Sequence, residues 1–193
     1  LNPQDAFAYY NRGLAYRPMG QYERAIQDYD EAIRLNPQDA EAYNNRGLSY
    51  DNLLFYALAI EDFDKSIQID PQYGETYHNR ARTYHHLGQN ERAIEDYNKA
   101  LSLDPTLARA YNNRGLSYYT LGEYAQAIED YSKSIQIDTQ APDALFNRGT
   151  SYARLGQYER SIDDFDMAIQ MNPHYGEAYS NRGTSYARLG QYE

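Results

Sequence analysis

An all-α solenoid of antiparallel helix–turn–helix repeats is the fold class this sequence predicts, and three observations carry it. Glycines recur every 34 residues at Gly13, Gly47, Gly115, Gly149 and Gly183, with Ala81 in the one slot that breaks the series. A fixed period of this length marks a stack of supersecondary units, each contacting only its neighbours. Within a unit, Ala110, Tyr111, Arg114, Gly115, Tyr118 and Leu121 recur at three- and four-residue intervals, the pattern of one helical face. A second such pattern follows Gly122: Tyr124, Ala127, Ile128, Tyr131, Ser134 and Ile135. The period, the first face and the second face together describe a hairpin of two helices.

The units run in order. Residues 1–5 match the tail of a preceding unit, and full repeats are expected at Ala6–Asp39, Ala40–Tyr73, Gly74–Leu107, Ala108–Ala141 and Pro142–Tyr175. Residues 176–193 read as the first half of a sixth, so 1–193 is expected to form one array, an excised piece of something longer. Numbering each unit from slot 1, Gly at slot 15 supplies the backbone freedom of a helix-ending turn. The pairs Asn36-Pro37, Asp70-Pro71, Asp104-Pro105 and Asn172-Pro173 stop the second helices. Departures are local. Pro18 should bend the first helix of repeat one or end it early, because it lacks an N–H and disfavours helical geometry at Arg17. Leu54 replaces the turn glycine of repeat two, and Asn90 replaces the Tyr that opens the second helix of repeat three. Thr139 stands where repeat four should have Pro, and Leu145 replaces the first aromatic of repeat five.

This pattern of Tyr-x2-Arg-Gly-x2-Tyr, then Ala-x3-Tyr/Phe and Pro, resembles the tetratricopeptide repeat over the whole chain. Tyr stands here for that family's usual Trp, and Arg for its usual Leu. The resemblance implies a right-handed superhelix whose first helices line a concave groove and whose second helices form the back. It also implies a protein–protein interaction scaffold. Nineteen of the 23 tyrosines fall in four recurring slots, so the tyrosine excess is architecture.

Composition narrows the partners. A net charge of −10 argues against nucleic acid and anionic membranes. No apolar run is long enough to span a bilayer, and without cysteine neither thiol chemistry nor disulfides are available. No phosphate loop, nucleophile elbow or metal-binding motif is present, so neither an enzyme nor a cofactor is expected. The pairs Asp28/Asp30, Asp62/Asp64 and Asp164/Asp166 read as a solvated convex face. Arg at slot seven and Asp at slot 23 (Arg12/Asp28, Arg46/Asp62, Arg80/Asp96, Arg114/Asp130, Arg148/Asp164) stand equally far from the turn and are expected to pair as a ladder, within repeats or between neighbours. His78, His85 and His86 are spaced too widely along their helix to share a metal, and read as solvated groove residues or pH-sensitive contacts.

The candidate binding residues are the slot-six asparagines Asn11, Asn45, Asn79, Asn113, Asn147 and Asn181, one in each copy. A carboxamide can pair with a peptide N–H and C=O whatever the side chain. The resemblance puts slot six on the concave face, where some members of the family hold extended peptide on asparagines. The alternative is that each Asn bonds a neighbouring helix and holds the stack together. Tyr10, Leu48, Leu116, Tyr119 and Phe146 would supply side-chain preference. His78, Arg82 and Arg109 form the local basic cluster, a seat for one acidic group of the ligand. No lysine occupies slots five or nine, so the two-carboxylate clamp known in the family is absent. The groove slots hold five arginines against five acids, which leaves the whole −10 to the back. At about 10 Å between first helices and about 3.3 Å per extended residue, six rungs would span about 15 ligand residues. Two other classes remain open. One is end-to-end self-assembly, with Tyr179, Tyr186 and Leu189 exposed or covered by another chain. The other is a targeting arm of a larger protein.

Overall fold

The computed structural model describes residues 4–190; the expected remnants at 1–3 and 191–193 lie outside the described residues. Among the described residues the chain forms eleven α-helices and no strand. First helices are α1 (Ala6–Tyr16), α3 (Ala40–Asn52), α5 (Gly74–His86), α7 (Ala108–Thr120), α9 (Pro142–Arg154) and α11 (Gly176–Arg188). Second helices are α2 (Tyr22–Leu35), α4 (Tyr56–Ile69), α6 (Asn90–Leu103), α8 (Tyr124–Ile137) and α10 (Tyr158–Met171). The chain divides into two compact units, Leu1–Leu103 and Asp104–Glu193. In the first unit α1/α2, α3/α4 and α5/α6 pack as hairpins, with α2 against α3, α4 against α5, and α3 meeting α5. In the second, α7/α8 and α9/α10 pair in the same way, α8 lies on α9, α10 on α11, and α9 meets both α7 and α11. The fold is the expected class: all-α, consecutive helix pairs packing as repeats.

Local chemistry explains the boundaries. Asp5 and Asp39 cap α1 and α3 by accepting the N–H of Ala8 and Ala42, each at 3.0 Å. After each second helix an Asn or Asp side chain accepts the N–H two residues on. Asp70, Asp104 and Asp138 do so at 2.9 Å, which closes a turn even where Thr139 replaces proline. Pro18 acts as expected. Helix α1 stops at Tyr16 after 11 residues, where α3 has 13, and Arg17–Met19 tighten into a 3-10 turn.

The hairpins close on an aromatic ring. A Cβ on Gly115 would stand 2.8 Å from the Tyr131 ring, and one on Gly13 only 2.6 Å from that of Tyr29. The recurring spacing of Gly at slot eight with Tyr or Phe at slot 24 is therefore a seat and its ring. Burying such a ring contributes about 1.5–3 kcal/mol.

A ladder of ion pairs fixes the level of each hairpin. Arg12, Arg46, Arg80, Arg114 and Arg148 grip Asp28, Asp62, Asp96, Asp130 and Asp164 with two bonds each, all between 2.6 and 2.8 Å. Slot-seven arginines also reach the preceding repeat. Arg46 bonds Asp30 at 2.6 Å, Arg80 bonds Asp64 at 2.5 Å, Arg148 reaches Ser132 Oγ at 3.1 Å, and Arg182 bonds Asp166. This corrects the expectation of a solvated acidic back: Asp28, Asp62 and Asp164 are buried, because the antiparallel hairpin sets slot 23 level with slot seven. Burial raises the carboxyls of Asp62, Asp96 and Asp130 above the usual carboxylate range against the pull of their arginines. Desolvation therefore offsets much of the attraction, and the ladder acts chiefly on register.

Candidate functional site

The first helices carry every candidate binding residue, and the two units treat them differently. In the first unit Asn45 is buried. Its Nδ2 donates to Tyr10 Oη at 3.1 Å and to the Glu41 carbonyl at 2.9 Å, while its Oδ1 accepts from Arg17 at 2.5 Å. Tyr10 Oη in turn donates to the Glu41 carboxylate at 2.9 Å, which with burial raises its pKa. On the next first helix Asn79 donates to Asn44 Oδ1 at 2.9 Å, both side chains buried. Asn11 is exposed, and its Nδ2 turns back to the Phe7 carbonyl at 2.8 Å. Leu48 is buried.

Asp51, the penultimate residue of α3, is the centre of a second polar group. It is buried and accepts from Arg82 Nη2 at 2.8 Å and from Thr83 Oγ1 at 2.7 Å, with His86 Nδ1 at 3.7 Å. Arg82 and His86 stay partly exposed on the wall of a cavity of about 390 Å³. Arg17, Leu48 and Leu54 complete the wall around Asp51.

Of the three histidines expected to be solvated, His86 is exposed, but His78 and His85 are not. His78 is buried with its ring 5.6 Å from Tyr97, because slot five lies over the slot-24 ring. His85 Nδ1 pairs with Asn90 Oδ1 at 2.8 Å, and burial lowers its pKa. Among the described residues no group of three His, Cys, Asp or Glu could hold a metal.

In the second unit the same slots are more open. Asn113, Asn147 and Asn181 are half-buried, as are Leu116, Tyr119 and Phe146. Asn147 Nδ2 reaches Asn112 Oδ1 at 3.2 Å, and Asn112 reaches Asn113 at 3.4 Å, longer than the bond from Asn79 to Asn44. Tyr119 packs edge-on against Tyr124 at 5.3 Å and accepts from Arg154 Nε at 3.0 Å. Phe146 lies between Phe165 at 5.8 Å and Tyr175 at 4.9 Å. Arg109 is exposed in the first turn of α7. On α11, Tyr179 is 44% exposed, Tyr186 and Leu189 are half-buried, and nothing among the described residues outside its own helix lies within 4 Å of a Cβ placed on Gly183.

Sequence reasoning missed the Asp51 group and the lock on Asn45. A signal existed: their partners stand 28 to 35 residues apart, about one repeat, so a scan for complementary residues near that spacing finds them.

The comparisons with known proteins agree with this architecture. A family described as "TPR repeat" matches residues 14–53, 81–122 and 115–156. Families described as "Tetratricopeptide repeat" match 40–73, 142–175 and 63–95. No curated protein matches the chain. Among solved structures, YrrB, described as a TPR protein with an unusual peptide-binding site, is 24% identical with a TM-score of 0.75, covering 93% of this chain and 92% of that one. The pilF protein of Pseudomonas aeruginosa is 20% identical with a TM-score of 0.87, over 96% of this chain and 85% of that one. MamA of Desulfovibrio magneticus RS-1 is 20% identical with a TM-score of 0.80, over 89% and 97%. At these identities the likeness is one of fold. No helix among the described residues is long and apolar enough to cross a membrane.

Proposed function

We propose, from the premise that this chain belongs to the tetratricopeptide repeat family, that it is a protein–protein interaction scaffold holding an extended peptide on its first-helix face. The observation that carries this reading is the openness of the second unit. Asn113 and Asn147 keep accessible carboxamides beside Leu116, Tyr119 and Phe146, an amide-reading row flanked by apolar side chains. Three first helices about 10 Å apart would serve about six extended ligand residues within that unit. In the first unit Asn45 and Asn79 are engaged by neighbouring helices, so their contribution is to hold the stack, and Asn11 is its accessible slot-six amide. Within the first unit Arg82 on α5 supplies positive charge for an acidic ligand residue, and within the second Arg109 on α7 does so separately. YrrB, with its peptide-binding site, is a precedent on the same fold.

The test is binding to an array of polar peptides of graded length. Asn113→Ala with Asn147→Ala should keep the helical content and weaken binding by about 1 kcal/mol per lost contact. Normal binding by that double variant would sink the reading. A second reading, self-assembly, draws on the open Gly183 seat and the exposed Tyr179 of α11. A mass that rises with concentration, and no longer rises in Tyr179→Lys, would favour it.

A further inference from the structure

The α3–α4 turn differs from its four counterparts at three slots together. At slots 16 and 19 the other repeats carry a hydrogen-bonded polar pair: Arg24 to Gln21 at 2.8 Å, Arg92 to Gln89 at 2.7 Å, Gln126 to Glu123 at 3.0 Å and Arg160 to Gln157 at 3.0 Å. Repeat two has Phe55 and Leu58 there. At slot 15 the other turns have glycine with φ between 70 and 81°, whereas repeat two has Leu54 at φ 64°, the one positive-φ residue other than glycine among the described residues. Leu54 is 67% exposed, Phe55 54% and Leu58 43%, and with Tyr56 and Ala57 they line one depression of about 380 Å³. Left-handed backbone strains a leucine, and exposed apolar surface works against solubility. Their coincidence in one turn marks an interaction surface.

Charge says what covers it. At the level of the patch, slots 18 to 22, the second helices α2, α4 and α6 expose Glu23, Glu61, Glu91 and Glu95. The bases at that level are Arg24 and Arg92, each held over a tyrosine ring, Tyr16 at 4.7 Å and Tyr84 at 4.0 Å. Four acids against two bases leave the surround negative, in a chain of net −10. An apolar patch in such a surround fits apolar side chains flanked by Lys or Arg. The same acids oppose two other occupants. A second copy seated patch on patch would bring two acid sets face to face, and an anionic bilayer would be repelled. Successive second helices stand about 10 Å apart, and a helix with its side chains is about 10–12 Å across. Long basic side chains beside the apolar stripe of a helix laid along α4 therefore reach the glutamates of α2 on one side and of α6 on the other.

We propose that the α3–α4 turn and the start of α4 form a docking site for a basic amphipathic helix of a partner protein. Its apolar stripe lies on Leu54, Phe55 and Leu58, and its Lys or Arg side chains lie over Glu23, Glu61 and Glu91. The site shares no residue with the asparagine row and involves no chain terminus. The probe is a peptide with leucine at i, i+3 and i+4 spacing and lysine elsewhere, acetylated and amidated, titrated against the 15N-labelled chain by NMR. Its twin carries glutamate for lysine. The lysine peptide should give saturable shifts at residues 54–61, and the glutamate peptide should bind at least about tenfold more weakly. Leu54→Gly, Phe55→Gln, Leu58→Gln installs neutral residues that other turns carry at these slots, and should melt no lower than the parent while losing the shifts. Glu61→Gln with Glu91→Gln keeps the patch and should weaken the lysine peptide by about threefold or more.

Unchanged binding by the turn variant overturns the proposal, as does equal affinity for the two peptides. Shifts spread along the acidic second helices without a centre at 54–61 overturn it as well. Shifts at 54–61 that grow with protein concentration in the absence of peptide assign the patch to a second copy and remove the partner helix. The Asn113→Ala, Asn147→Ala variant should bind the lysine peptide as the parent does, so failure of the asparagine row leaves this site standing. Loss of the shifts in that variant would place the peptide on the row and overturn the site.

Discussion

On the first helices of the first unit, Asn45, Asn44 and Asn79 are buried and bonded across repeats, and Asp51 ties Arg82 and Thr83 of the next first helix to its own. On those of the second unit, Asn112 and Asn147 meet at 3.2 Å, both half-buried, and slot 12 holds Tyr119 in place of an acid. The same slots thus serve cohesion in one unit and stay available in the other. In the first unit Arg17 reaches Asn45, Asn79 reaches Asn44 and Arg82 reaches Asp51, and with those bonds the polar face closes on itself.

The largest expected effect sharpens the contrast between buried and exposed charge. Asp62→Ala leaves Arg46 without its buried partner and should cost about 3–5 kcal/mol in urea unfolding. Asp166→Ala removes a half-exposed partner of Arg182 and should cost less than about 1 kcal/mol. Replacing Arg46 and Asp62 together by Met and Leu should restore most of the loss, since the ladder serves register. Equal costs at the two positions would remove the distinction.

A smaller effect tests the two asparagine sets directly. Asn79→Ala strands the buried Asn44 carboxamide and should cost about 1–3 kcal/mol of stability. Asn147→Ala, on a longer and more open bond, should cost about 1 kcal/mol or less in the same assay and show its effect on ligand binding instead. Reversal of that order would erase the comparison between the units.

The smallest effect is a pH dependence. Burial depresses the folded pKa of His85 below its usual value of about 6.5, so the unfolded chain takes up the proton first. The neutral ring's stability is fully present above about pH 6.5 and is lost as pH falls through the depressed folded value. The melting temperature of the parent should therefore drop more steeply below pH 6.5 than that of His85→Gln. Parallel curves would mean that His85 is not held neutral.

The residues themselves carried the period, both helical faces, the proline-shortened α1 and the arginine–aspartate pairing, because each follows from spacing along one hairpin. Slot seven and slot 23 stand equally far from the turn, and no distant contact is needed to place them level. The burial of His78, of Asn45 and of the second-helix aspartates was not legible in that way. Those depend on which side chain of the neighbouring repeat arrives opposite, and a helical pattern says which face a residue is on without saying what covers it. The apolar turn at Leu54 stands between the two cases. The departure from glycine is visible in the sequence, but only the packed hairpins set its exposed leucines and phenylalanine beside the arginines of a different helix. Local spacing is set by backbone geometry, which the sequence determines by itself. Closure of a polar face is set by reach across about one repeat, and that only tertiary structure decides.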